Sequence, residues 1–368
     1  MTKFVPAEPF HPGEYIEDEL NARGWTHEDL ASVMGISRRQ IINLIQGKSG
    51  ITPDTAIALA EAFSQEPTVW MNLQTSYELA FAAQKERGVK RRAFLYNKVP
   101  VREIIRRGWI PETNQTEEME HNICKLLRVN SIDDTTNYNM AARKSTPYET
   151  ETGAQIAWYG RAFQLAQGAP ATKYSLDNLD NGISELMKLT AYPEDARRVP
   201  EVMLEMGIRL VFIKHLHHTK IDGIAFWLDD MTPAIAMSLR YPRIDYFWFT
   251  LMHEIVHIKY RDSAPIDSDT LAILNEINLP DIESRANKEA SNYLIPEDKL
   301  ISFINRKKPH YYEKDVVKFA QVHGVHPGIV IGQLQNHPES GFEYKQLRRY
   351  LVNVRDQLLG NAITDGSW

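Results

Sequence analysis

A mainly α-helical chain with one small β-sheet, an α+β protein in three parts, is the fold class these 368 residues predict. Three observations carry it. Apolar residues recur at helical spacing from 14 to 63 and again beyond 280. Three short apolar runs bounded by turn residues lie together between 207 and 239, where the period shifts to that of strands. Apolar residues make up 43% and charged residues 24%, as in ordinary globular proteins with sizeable cores. No apolar run approaches the length of a membrane span, and the start, Met1 to Pro6, lacks the apolar core of a signal peptide. One cysteine, Cys124, rules out an internal disulfide and fits a reducing, cytoplasmic setting; in its Leu-rich stretch it reads as a small core residue. The parts divide as 1–90, 91–200 and 201–368.

In the first part Thr26 is an N-cap with Asp29 three residues on, opening a helix that Gly35 ends. Ser37 caps a second helix that stops at Gly47, with Ile41, Leu44 and Ile45 facing inward. Helix, glycine turn and second helix with a polar front make a helix-turn-helix. Arg38, Arg39, Gln40 and Asn43 are residue types that hydrogen-bond base edges or phosphates. A helical bundle with a solvated polar face is the rival reading. Charge leans toward it, because residues 1–90 hold eight basic and twelve acidic side chains, a net of −4. Against that, Arg38, Arg39 and Lys48 cluster at the second helix.

His11-Pro12-Gly13-Glu14, Gly35-Ile36-Ser37, Gly47-Lys48, Asp54-Thr55-Ala56 and Trp70-Met71-Asn72-Leu73-Gln74 followed by Tyr77 resemble the HigA antitoxin branch of the xenobiotic-response-element (XRE) repressors, over about residues 8–82. The resemblance implies a dimeric repressor that binds a double-stranded DNA operator and contacts a toxin. By position it sets Arg38, Arg39, Gln40 and Asn43 in the major groove and Ser37 and Lys48 at phosphates.

Residues 83–95 read as the end of a long helix and a linker. The second part follows as a helical connector or partner surface: short helices at Val101–Ile110 and Glu117–Leu127, a polar loop over Ser131–Glu151, and helices at Ala154–Gln167 and Leu176–Leu189. The runs Gly207–Ile213, Gly223–Leu228 and Pro233–Leu239 then suggest a small antiparallel sheet, Asp229–Thr232 joining two of them. An edge strand of such a sheet can pair with an extended peptide. His215, His217 and His218 stand at a strand end and read as exposed loop residues.

The third part holds His253-Glu254-Ile255-Val256-His257. Residues four apart share a helix face, so the two imidazoles can meet one metal ion, while Glu254 stands beside it as a carboxylate able to take a proton from water. Asp281–Pro296 reads as another helix, with Ala286, Ala290, Tyr293 and Leu294 at apolar spacing. Its Glu283 is the candidate third ligand, Glu289 the rival, and a helix-start carboxylate the bland reading of Glu283. Two histidines and a carboxylate leave a position open for water, as in hydrolytic zinc sites. Near the C-terminus, helices around Val316–Ala320 and Ile329–Gln335 flank a turn with His326, which either stabilises an oxyanion over the metal or caps a helix.

Trp248-Phe249-Thr250-Leu251-x-His253-Glu254-x-x-His257, with Glu283-x-x-Ala286-Asn287 26 residues past His257 and then Leu294-x-Pro296, resembles the ImmA/IrrE metallopeptidases, a zincin-like fold. That resemblance implies Zn²⁺ held by His253, His257 and Glu283, Glu254 as general base, and helix-turn-helix repressors as substrates. Arg285 and Glu289 stand where acidic and apolar residues are commoner in the family. The whole reads as a DNA-binding regulator or antitoxin carrying a zinc endopeptidase that cleaves a repressor or partner protein. The alternative is a non-enzymatic autorepressor and toxin-neutralising binding protein with a structural or vestigial metal site.

Overall fold

The computed structural model describes residues 10–85, 87–133, 153–217, 219–262, 279–342 and 347–368. Contacts divide the chain into two compact units, one ending at Phe94 and the other beginning at Leu95. Among the described residues no helix is long and apolar enough to cross a membrane.

The first unit is all helical: α1 (Pro12–Arg23), α2 (His27–Met34), α3 (Arg38–Ile45), α4 (Pro53–Phe63), α5 (Pro67–Lys85) and the start of α6 (Arg87–Lys98). Side-chain caps set the first four starts, as expected for orphan N–H groups that need acceptors. Thr26 with Asp29 and Ser37 with Gln40 form capping boxes, and Gly35 ends α2 at φ 66°. His11-Pro12-Gly13-Glu14 is a third box, in which His11 Nδ1 accepts from Gly13 N at 2.9 Å. Gly13 also lets α1 meet the end of α3, since a Cβ there would stand 2.1 Å from the Ile45 carbonyl oxygen. Ile16, Leu20, Leu30, Ile41, Leu59, Phe63 and Trp70 fill the core. Gln74 is buried with them, its Oε1 accepting from Ile51 N at 2.9 Å, which gives the Trp-x-Asn-Leu-Gln stretch a structural reason. The linker expected within 83–95 is helical from Arg87 on, because α6 buries Leu95.

In the second unit α7 (Val101–Arg106), α8 (Thr116–Leu127), α9 (Gly153–Gly168), α10 (Leu176–Lys188), a 3₁₀ turn (Pro193–Arg198) and α11 (Val199–Glu205) precede the sheet. The polar-loop expectation for 131–151 lies, from 134 on, outside the described residues. These helices do not form a separate connector. Trp158 of α9 donates its Nε1–H to the Ile213 carbonyl at 3.1 Å. Gly160 lets α9 lie against α8 at the Leu126 carbonyl, where a Cβ would come within 1.9 Å.

Strands β1 (Arg209–Phe212), β2 (Gly223–Trp227), β3 (Pro233–Met237) and β4 (Ile363–Thr364) run in the order β2-β3-β1-β4. The sheet is mixed rather than antiparallel. β2 and β3 form a hairpin closed by Leu228 N to Thr232 O at 2.9 Å, whereas β1 lies parallel to both β3 and β4. Every residue of β2 and β3 is buried, so neither shows the alternation that betrays pairing. Phe226 meets Tyr159 and Phe163 of α9 on one face. Ala225, Trp227 and Met237 join the core under α12 (Ile244–Tyr260) on the other. Around α12 stand α13 (Leu279–Leu294), α14 (Glu297–Lys307), α15 (Glu313–His323), α16 (Pro327–Asn336) and the short α17 (Arg355–Leu359).

Candidate functional site

Leu251, Ile255, Val256 and Ile258 are fully buried and hold α12 inside the second unit, which fixes the direction of its polar residues. His253, Glu254 and His257 are themselves buried. His253 Nε2 and His257 Nε2 face each other at 2.9 Å. Glu283 arrives from α13 with Oε2 3.3 Å from His253 Nε2 and Oε1 3.5 Å from His257 Nε2. Two imidazole nitrogens that close need a proton or a cation between them. With one ligand atom taken from each residue, the three lie within 4.8 Å of one another, close enough for a single ion to be held among them.

The field around the three donors favours positive charge. Burial works against a charged His257, but the hydrogen bonds to Asp262 and Glu283 outweigh it and hold the imidazole up at about 10. Burial would raise the Glu283 carboxyl, and the two histidines instead hold it well below the usual carboxylate range. The cluster is built to keep a positive charge among its donors.

Beyond the donors, Asp262 Oδ2 lies 3.1 Å from His257 Nδ1 and its Oδ1 accepts from Arg285 at 2.5 Å. Arg285 also lies over the Tyr260 ring, 4.2 Å from its centre. A carboxylate behind a metal-binding histidine sets its tautomer and ring orientation. Asp262 was not legible as a site residue. Its placement depends on Arg261 ending α12 at φ 55°, which turns the Asp262 N–H back to the His257 carbonyl at 3.0 Å. Glu289, the rival ligand, is turned elsewhere, to Lys259 at 3.3 Å and to the Tyr260 hydroxyl.

Glu254 is 2% exposed, and its Oε1 has no hydrogen-bond partner among the described residues. A buried carboxylate left so is costly unless another species meets it. Gly223 at the start of β2 makes its room, since a Cβ there would stand 2.9 Å from Glu254 Oε1. β2 is an outer strand of the sheet, so the expected edge lies directly against this carboxylate.

His326 is not part of the convergence. It caps α16, its Nδ1 accepting from Gly328 N at 3.1 Å, with its ring against Tyr350. His215 and His217 lie past the end of β1 and do not belong to the group of three donors, and His215 is half-buried rather than exposed; His218 lies outside the described residues.

In the first unit Ser37, Arg38, Arg39, Gln40 and Lys48 are exposed and Asn43 half-buried. Ser37 N donates to Gln40 Oε1 at 2.8 Å, Arg38 pairs with Glu28 at 2.9 Å, and Lys48 Nζ meets Gln46 at 2.8 Å. The Asn43 carbonyl accepts from Lys48 N at 2.8 Å, tying the loop after α3 to that helix.

Residues 16–70 match the family described as helix-turn-helix, and residues 205–334 the one described as IrrE N-terminal-like domain. Virulence-associated protein I of Dichelobacter nodosus is 34% identical over 80 residues, 22% of this chain and 74% of that protein. Antitoxin HigA-1 of Vibrio cholerae is 38% identical over 72 residues, 19% of this chain and 68% of that protein. Among solved structures, a HigA-family addiction-module antidote protein from Coxiella burnetii is 34% identical with a TM-score of 0.21, covering 21% of this chain and 86% of that one.

Proposed function

We propose that this chain, which belongs to the helix-turn-helix regulators of the HigA antitoxin type through its first unit and carries an IrrE N-terminal-like domain in its second, couples operator binding to zinc-dependent peptide hydrolysis. The observation that carries the hydrolytic half is Glu254, buried, with its Oε1 unpartnered among the described residues, on the helix that also brings two of three clustered donors. His253, His257 and Glu283 would hold the zinc, which supplies Lewis acidity toward a peptide carbonyl and toward water. The chain's own residues do the rest. Glu254 accepts the proton of the attacking water in a site poor in solvent. The outer edge of β2 offers backbone groups to an extended substrate, setting its scissile bond along α12. Asp262 keeps the His257 ring in place.

For the first unit the reading is a cytoplasmic homodimer on double-stranded operator DNA. Arg38, Arg39, Gln40 and Asn43 reach base edges, while Ser37 and Lys48 meet phosphates. A toxin is the further partner, and a repressor or partner protein the substrate.

Two measurements test this on the full chain. With zinc bound, the parent is incubated with a proteome-derived peptide library and cleavage is followed by mass spectrometry. Glu254→Gln is expected to keep one zinc per chain and its operator affinity while losing cleavage. A zinc-loaded parent that cuts nothing, with Glu254→Gln regulating its promoter as the parent does, would leave the non-enzymatic autorepressor and toxin-neutralising reading. In gel shifts on that promoter, Arg39→Ala should cost about 1–3 kcal/mol and relax base preference, and Lys48→Ala should lower the salt slope by about one. Unchanged binding in both variants would remove α3 from the groove.

A further inference from the structure

The second unit holds a cavity of about 550 Å³ that shares no residue with the metal donors. It opens where the carboxyl ends of the parallel strands β1 and β4 meet α7. Its volume falls in the range of small-molecule sites, about 300–1,000 Å³. Arg106, Arg107 and Lys214 line it against a single acid, Glu103. Arg107 is already spent. It pairs with Glu103 at 2.5 Å, lies 3.8 Å from buried Asp365, and donates to the carbonyls of Lys214 and His215 at 2.6 and 2.9 Å. It therefore acts as a strut that fixes the loop after β1. Arg106 shares Glu103 with Arg107, at 3.8 Å and largely in solvent, and Lys214 has no carboxylate within ion-pair distance among the described residues. With Glu103 and Asp365 set against the three cations, one positive charge is left over, and Arg106 and Lys214 are the cations that face the cavity.

Polar atoms at the same place lack partners. His215 Nδ1 and Ser367 Oγ are buried with none among the described residues, although both side chains belong to the lining. Burial first, then Arg240, Arg107, Lys214 and Arg355, press the His215 imidazole below its usual pKa, so it stays neutral within a positive field. We propose that this cavity binds a small phosphorylated metabolite, its phosphoryl group seated between Arg106 and Lys214 and within reach of Ser367 and His215. Two cationic groups in the lining, with a net positive charge, suit the oxygens of a phosphomonoester. A nucleic-acid duplex would need a longer cationic track with many phosphate contacts.

Calorimetric titration of the full chain with glucose 6-phosphate, inorganic phosphate and glucose tests the site. Glucose 6-phosphate should bind one per chain, more tightly than inorganic phosphate, and glucose not at all. Arg106→Gln with Lys214→Gln, both exposed, should weaken binding about tenfold or more with the unfolding temperature unchanged. Arg38→Gln with Arg39→Gln, on the DNA-reading helix, should leave it as in the parent. The proposal falls if the cavity variant binds like the parent, if the α3 variant loses binding instead, or if inorganic phosphate binds as tightly as the sugar phosphate.

Discussion

Replacing Asp262 by Asn keeps the side chain's shape and removes its charge, and the effect on metal affinity can be worked out from three contacts. Asp262 stands 3.1 Å from His257 Nδ1 and 2.5 Å from Arg285, and its own carboxyl is held below the usual range because the bonds from His257 and Arg285 outweigh its burial. With Asn, His257 loses the anion that makes it a stronger donor. Changes to such outer partners typically cost about 10–100-fold in metal affinity, or about 1.4–2.7 kcal/mol. A second loss follows from Arg285, whose guanidinium then faces a cation site without the carboxylate that neutralised it. Arg285→Gln should therefore act in opposite directions in the two backgrounds. Alone it lets Asp262 move and weakens zinc binding by a few-fold; added to Asp262→Asn it removes an unbalanced charge and restores part of the affinity. The assay is competition between the full chain and a chromophoric zinc chelator at neutral pH and fixed salt. The reasoning is refuted if Asp262→Asn binds zinc as tightly as the parent, or if Arg285→Gln lowers affinity further in the Asn background.

Gly223→Ala brings a methyl to 2.9 Å from Glu254 Oε1 and 3.0 Å from Thr250 Cγ2, so the carboxylate must turn away while the donors stay put. Zinc content should hold and cleavage of a peptide cut by the parent should fall about 10²-fold, the order of loss for a reacting group misplaced by about 1 Å; undiminished turnover would mean that Glu254 is not the base. His326 can cap α16 only while Nδ1 is unprotonated, and burial lowers its pKa. Protons then favour the unfolded chain: the stabilisation is present above the unfolded value of about 6.5 and is lost as the pH falls through the lower folded one. His326→Asn keeps a cap of about 1 kcal/mol without a titrating group, so denaturant unfolding of the metal-free protein should lose less stability between about pH 7 and pH 5. Parallel pH profiles for the two proteins would contradict this.

What the sequence revealed is what depends on neighbours along the chain. Thr26 and Ser37 bond groups three residues away, and His253 and His257 meet through one helical turn, so spacing alone announces them. The parallel pairing of β1 with β3 and β4 was not legible, because strands buried on both faces are continuous apolar runs that carry no mark of direction. His215 was read as exposed for a related reason: its cover comes from Arg107 and from residues near 366, more than a hundred positions away in either direction.

Arg285 shows why a departure from a family pattern has to be judged together with its partner. By resemblance alone, a cation where acids are commoner near a metal ligand suggests a weakened site. In the folded chain that cation is matched by Asp262 at 2.5 Å, and Asp262 in turn holds His257. The carboxylate that supports the ligand comes from the end of α12, and Arg285 on α13 balances it. Arg285 and Asp262 should therefore vary together among relatives that keep His257, because either one alone leaves a charge beside the metal with nothing to offset it.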